Sequence, residues 1–233
     1  MPFNTNFSWN NFYQKEIENF ENNEEDTGEC WFDDSDAENK MIQYIIDQLN
    51  GGDLNFKDSD ITVLDLGTGN GHFLFQLNSD LEEEYEGSQK FHFTGIDYSP
   101  DSVAFCQKIA ETRDLQGFEF KQVDLLKPDQ SFLSNKFNLL VDKGTLDAIA
   151  LNQEPLVEFD GRTGMEVYAE QIVQMMNADS KLLITSCNFT ESELIKVITQ
   201  KTNLRVWGKI DYPSFEFGGV KGATICSVVF SLS

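Results

Sequence analysis

Basic residues are scarce in this chain. It has 17 Lys and Arg against 40 Asp and Glu, a formal net charge of −23 over 233 residues. Phosphate backbones are held by clustered Lys and Arg, and no such run occurs, so free nucleic acid is a disfavoured partner. The same surplus of carboxylates favours a basic protein through long-range attraction, or serves solubility alone. Cysteine is sparse: Cys30, Cys106, Cys187 and Cys226 are scattered and form no C-x-x-C pair. Neither a zinc site nor a redox pair is expected, and no metal is assigned. Free thiols suit a reduced intracellular compartment, with the cytoplasm as the expectation. No apolar run approaches a membrane span, and the Asn- and Glu-rich start lacks the apolar core of a secretory signal. Only two histidines occur, His72 and His92, and neither is placed as a general base.

What the chain does have is apolar material. Forty per cent of its residues are hydrophobic and twenty are Phe, enough for a sizeable core. The length fits one α/β domain with elaborations. The most informative stretch is Val63-Leu64-Asp65-Leu66-Gly67-Thr68-Gly69-Asn70-Gly71, followed by Phe73, Leu74 and Leu77 at helical spacing. This reads as a strand, a glycine turn and a helix. Glycines at Gly67, Gly69 and Gly71 let a ligand approach the backbone. The spacing is G-x-G-x-G, whereas a dinucleotide fold wants G-x-G-x-x-G. An acid at Asp65 suits a cationic, amino-bearing ligand better than a pyrophosphate.

Strands are predicted at 62–66, 91–96, 118–123, 137–141, 181–185, 204–210 and 224–231. Helices are predicted at about 72–81, 100–113, 167–176 and 190–200. Residues 1–34 form a separate leading segment, in which Trp9, Tyr13, Glu16 and Phe20 share one helical face. Ser35 and Glu38 suggest a capping box, as do Thr190 and Glu193. Acidic residues close the second, third and fourth strands at Asp97, Asp124 and Asp142. The alternation implies a mostly parallel sheet with helices on both faces. Ligands bind such sheets outside the carboxyl ends of the strands. Asp97, followed by Tyr98, and Asp124, followed by Leu125, stand at that edge; an acid after the second strand is common to nucleoside-binding folds, where it can accept two ribose hydroxyls. The fourth strand runs into Asp142-Lys143-Gly144-Thr145-Leu146-Asp147, dense in groups fit for chemistry.

The glycine turn and the acids in register behind it resemble motif I of the class I S-adenosylmethionine-dependent methyltransferases. Further elements extend the likeness: Asp142-Lys143-Gly144-Thr145-Leu146-Asp147-Ala148, Asp26-Thr27-Gly28-Glu29-Cys30-Trp31-Phe32, Thr185-Ser186-Cys187-Asn188-Phe189-Thr190 and Phe215-x-Phe217-Gly218-Gly219. In order and spacing they resemble the lysine methyltransferases that modify translation elongation factor 1-alpha, in the fungal and metazoan branch. The resemblance covers nearly the whole chain; its departures are the acidic 82–87 stretch and the 160–162 loop.

The resemblance implies a seven-stranded, mostly parallel Rossmann-like sheet with an antiparallel last strand over 35–233, preceded by a helix and lid over 1–34. It implies S-adenosylmethionine as cofactor and the elongation factor as protein substrate; nothing in the sequence suggests an extended interface, so a monomer is expected. The cofactor is expected at Trp31, Asp65, Gly67, Thr68, Gly69, Asn70, Gly71, Asp97, Tyr98, Asp124, Leu125 and Asp142. The substrate is expected at Phe32, Thr145, Asp147, Phe189 and Phe217, with Asp142 and Asn188 catalytic. A lysine amine must be neutral to attack, and its ordinary pKa is about 10.4; aromatic burial lowers it. Other readings are a methyltransferase acting on another protein or a small molecule, and a binding module that has lost turnover.

Overall fold

The computed structural model describes residues 5–32, 35–128, 130–213, 215–217, 220–222 and 224–233. Side chains at 5–8 and within 215–222 fall outside that description.

The sheet is built from β1 (Asp60–Leu66), β2 (Lys90–Asp97), β3 (Phe118–Gln122), β4 (Phe137–Lys143), β5 (Met176–Ser186), β6 (Leu204–Ile210) and β9 (Cys226–Leu232). A separate two-stranded ribbon pairs β7 (Phe215–Phe217) with β8 (Val220–Gly222). The helices are α1 (Thr5–Asn22), α2 (Ala37–Gly51), α3 (His72–Glu84), α4 (Pro100–Thr112), α5 (Thr145–Leu151), α6 (Gly164–Val173) and α7 (Glu191–Thr199). Strand order is β3-β2-β1-β4-β5-β9-β6. The strands from β3 to β5 run parallel, and β9 lies antiparallel between β5 and β6.

Each central strand feeds two cores, because successive side chains point to opposite faces. Val63, Val141, Leu183 and Val229 pack with Met41 and Ile45 of α2, Leu74 and Leu77 of α3 and Cys106 of α4. Their neighbours Leu64, Leu140, Leu182 and Phe230 pack with Tyr168 and Ile172 of α6 and Leu194 of α7. On the outside of α4, Phe105 and Ile109 receive Tyr13 and Phe20 from α1.

Some local expectations are corrected. The predicted Ser35–Glu38 capping box does not form. Asp36 stands at the N-cap with φ 54° and makes no side-chain cap, the Ser35 hydroxyl donates to the Phe32 carbonyl, and Glu38 turns inward to cations. The helix expected at 167–176 starts earlier and ends earlier, at Gly164–Val173. The Thr163 amide donates to Glu166 Oε2 at 2.9 Å and fixes that start, while Met176 pairs with Phe137 and begins β5. The helix expected at about 72–81 runs on into the acidic stretch, to Glu84. The fourth strand runs on past its predicted end at 141 to Lys143, and α5 begins at Thr145 directly after Gly144.

Candidate functional site

β1 has its sequence neighbour β2 on one side and β4 on the other. This reversal of strand order opens a crevice at the carboxyl ends, and the glycine turn lies there. Gly67, Gly69 and Gly71 have φ of 73°, 60° and 76°, values that disfavour any side chain. Space is also closed: a Cβ on Gly67 would stand 2.1 Å from Thr145 Oγ1, and one on Gly69 would stand 2.9 Å from the Tyr13 hydroxyl oxygen. The Thr68 amide donates to the Ile96 carbonyl at 2.9 Å, tying the turn to β2.

Asp97 ends β2 almost fully buried. Its Oδ2 accepts from the Gly69 amide at 3.2 Å and its Oδ1 from the Ser99 amide at 2.9 Å. Burial pushes its pKa up to about 6, against the pull of these amides. Asp65 lies buried beneath the turn, and desolvation lifts it to about 7. The Ser102 hydroxyl donates to the Gly69 carbonyl at 2.5 Å and props the turn from α4. Tyr98 is half-buried, its phenol pushed up by burial and by Asp97 and Asp124. Leu125 is buried. Asp124 is half-exposed; it accepts from the Leu126 amide at 3.0 Å and pairs with Lys127 at 3.6 Å.

The leading segment closes over this turn. Along the face of α1, Trp9 meets Trp31 edge-on at 5.5 Å, Tyr13 covers Gly69, Glu16 lies against Gly28 and Phe20 packs on Phe105. The lid residues are then fastened from below. The Asn70 amide donates to the Thr27 carbonyl at 2.9 Å and the Glu29 carbonyl at 3.0 Å. Lys143 Nζ donates to the Trp31 carbonyl at 2.8 Å and pairs with Glu38 Oε2 at 3.2 Å. Glu38 Oε1 stands 2.6 Å from His72 Nδ1. Cys30 and Glu38 together raise the His72 pKa to about 10. Phe32 holds φ 68° and lies so close to Gly144 that a Cβ there would stand 2.7 Å from its ring. Trp31 is 47% exposed.

The hexapeptide expected to meet cofactor and substrate is tied into the frame. Asp142 is fully buried, and its carboxylate accepts from the Thr145 amide at 2.8 Å, the Leu146 amide at 3.0 Å and the Tyr168 hydroxyl. Burial lifts it to about 7. It holds the start of α5 rather than facing an open surface. Thr145 Oγ1 donates to the Leu66 carbonyl at 2.6 Å, stitching α5 to the glycine turn. Asp147 accepts from the Ser186 hydroxyl and the Cys187 amide, stitching α5 to the end of β5. Asp142 answers the amides that a buried helix N-terminus leaves without partners, while Thr145 and Asp147 tie the same helix to β1 and to the end of β5.

Asn188 is exposed just past β5. It does not cap α7, because Thr190 occupies the N-cap and forms the expected box with Glu193. Phe189 is half-buried behind it. Phe217 belongs to β7, and its side chain lies outside the described residues.

Residues 57–219 match the family model of a methyltransferase domain. The chain belongs to this family. Over 95% of its length it is 43% identical to protein-lysine N-methyltransferase EFM4 of Saccharomyces cerevisiae, covering 91% of that protein. EEF1A lysine methyltransferase 2 of Homo sapiens is 32% identical over 95% of this chain and 83% of its own. A TehB-like SAM-dependent methyltransferase from Corynebacterium glutamicum shares the fold at TM-score 0.58 and 15% identity, covering 98% of this chain and 100% of that one.

The methyltransferase uses S-adenosylmethionine. The chain's own geometry fits that group: three glycines of positive φ form a cradle that side chains would fill, beside a buried acid at the end of β2. Several residues of the frame escape sequence reasoning. Tyr13 is visible only as one of an aromatic stripe, and Glu38 reads as a helix cap. Tyr168 gives no signal, since it meets Asp142 only through the packing of α6.

Proposed function

We propose that this methyltransferase transfers methyl groups to a lysine side chain of translation elongation factor 1-alpha in the cytoplasm, acting as a monomer. The observation that carries the reading is similarity over 95% of the chain, lid included, to a relative named for protein-lysine methylation and to others named for lysine methylation of EEF1A. The net charge of −23 supports a basic protein partner.

Bound S-adenosylmethionine supplies an electrophilic methyl on a sulfonium. The chain's part is positioning. Asp97 accepts the ribose hydroxyls, while the 67–71 turn, with Thr68 and Asn70, lets the cofactor lie against backbone amides. Asp65 adds negative charge beneath the turn. Tyr98, Asp124 and Leu125 frame the adenine, and Trp31 closes the lid side. Asn188 stands exposed at the end of β5, where its side-chain carbonyl accepts from the incoming lysine amine and aims its lone pair. Phe32 and Phe189 supply apolar walls that disfavour the ammonium form. Asp142, Thr145 and Asp147 act through the frame as positioning residues, holding α5 against the turn and β5.

Intact-mass analysis of elongation factor 1-alpha from cells lacking this protein tests the reading. A mass deficit in multiples of one methyl group, restored by the purified enzyme with S-adenosylmethionine, supports it. An unchanged mass, with label going to another protein or a small molecule, moves the substrate assignment. Cofactor binding with transfer to nothing leaves a silent binding module.

A further inference from the structure

Three side chains with metal-ligating atoms converge from three separate segments beside the lid. Cys30 comes from the lid, Glu38 from the first turn of α2 and His72 from the first residue of α3. Their Sγ, carboxylate oxygen and ring nitrogen all lie within 4.8 Å of one another. Cys30 Sγ is 3.5 Å from Glu38 Oε2, and His72 Nδ1 is 2.6 Å from Glu38 Oε1. Glu38 is buried, while Cys30 and His72 are half-exposed, which leaves a route for an ion from solvent.

The donor set is one thiolate, one imidazole and one carboxylate. Thiolate and imidazole select zinc-class ions over magnesium or calcium, which want oxygen alone. Three protein ligands leave a fourth tetrahedral position for water. Two charges decide the balance. The cluster supplies up to two negative charges, from Cys30 and Glu38, and Lys143 already pairs with Glu38 Oε2 at 3.2 Å. The Oε1 face of Glu38, toward His72, carries no Lys contact among the described residues, so an ion can enter there while Lys143 keeps its side.

We propose that Cys30, Glu38 and His72 form a site for a thiophilic divalent cation of the zinc class, which pins the lid to α2 and α3. On binding, the metal–sulfur and metal–nitrogen bonds form as the Cys30 thiol proton and the His72 Nδ1 proton leave to solvent. No electron moves. The ion replaces the His72–Glu38 ion pair and the Cys30–Glu38 hydrogen bond with bonds that cross-link the lid to both helices flanking the glycine turn. The spacing of these residues in the chain gives no metal motif, and only the fold brings them together.

Cobalt(II) is the probe, because its thiolate charge-transfer band and its intense tetrahedral ligand-field bands report sulfur ligation directly. The full chain, stripped of metal and kept reduced, is titrated with cobalt(II) and then with zinc(II) in competition. One equivalent should bind with a charge-transfer band. The band should vanish in Cys30→Ser, and His72→Gln should weaken binding by about tenfold or more, since loss of a direct ligand costs at least what loss of an outer partner does. Cys187→Ser should leave the spectrum unchanged. Cys30→Ser replaces a half-exposed thiol, and its melting curve verifies that the fold survives. Glu38→Gln keeps the shape and hydrogen-bonding reach while removing the charge, and should also weaken binding. Absence of the band in the unmodified chain overturns the proposal, as does a band that persists in Cys30→Ser or disappears in Cys187→Ser.

Discussion

Asn70 gives the sharpest test of how the lid is held. Its side-chain amide donates to two carbonyls of the lid, Thr27 and Glu29, at 2.9 and 3.0 Å, and its Oδ1 accepts from the His72 amide at 3.2 Å. Asn70→Asp keeps that acceptor, removes both donors and sets a carboxylate oxygen against two carbonyls. A net hydrogen bond is worth about 0.5–1.5 kcal/mol, so the closed lid loses about 1–3 kcal/mol before repulsion is added. At 1.4 kcal/mol per factor of ten, that shifts lid closure by about 5- to 150-fold. The fold should survive, because Phe20 anchors α1 on Phe105 independently of Asn70. The assay is limited digestion with a glutamate-specific protease. Cleavage after Glu29 tracks the open population when closing is fast relative to cutting. Faster cutting at Glu29, weaker S-adenosylmethionine binding by calorimetry and a nearly unchanged melting temperature are expected together. Wild-type cutting at Glu29 with wild-type affinity refutes the latch.

Three further outcomes follow from the site. The Asp97 carboxylate is useful to the cofactor only when charged; its pKa lies near 6 in the folded protein, so affinity should be full above that pH and fall as pH drops through it. Affinity that stays flat across that window removes Asp97 from the ribose, as would an unchanged affinity in Asp97→Ala, where about 2–4 kcal/mol should be lost by analogy with charged hydrogen bonds. Asn188→Ala should lower kcat and leave the melting temperature alone, because Thr190 caps α7; Thr190→Ala should do the reverse at about 1 kcal/mol of stability, and a normal kcat in Asn188→Ala excludes it from the reaction. Added salt should raise the KM for the protein substrate while cofactor affinity holds, since the Debye length is only about 8 Å at physiological salt; a KM independent of salt makes the charge merely solubilising.

The sheet was legible because its signals are local. The Gly67–Gly71 spacing, Asp97 at the end of β2, and apolar runs such as Leu139–Val141 each mark a strand end without reference to anything distant. Polar residues that serve the frame were not legible in the same way. Asp142, Thr145 and Asp147 look chemical in a sequence because buried acceptors and catalytic ones use the same groups. Only the packing of α5 against β5 and the glycine turn shows that Asp142 answers amides and the Tyr168 hydroxyl. Glu38 is obscured for a related reason: a Ser and a Glu three apart satisfy the capping pattern, and nothing local reveals that His72 and Lys143 each take one oxygen of the carboxylate.

The placement of β9 has a consequence for how the protein is made. Among the described residues β6 joins the sheet only through β9, and the outer edge of β5 is covered only by β9, where Leu182 meets Phe230 and Ile184 meets Val228. During synthesis the strands β1 to β5 emerge first, with one flank of β5 bare and β6 without a partner. An unpaired apolar strand edge templates pairing with other chains. Nothing made earlier can close that gap, so the nascent sheet stays open on one side until residue 232 has cleared the ribosome. A chain halted before β9 has emerged should therefore carry a sticky, unfinished sheet, which β9 completes by zipping between its two neighbours.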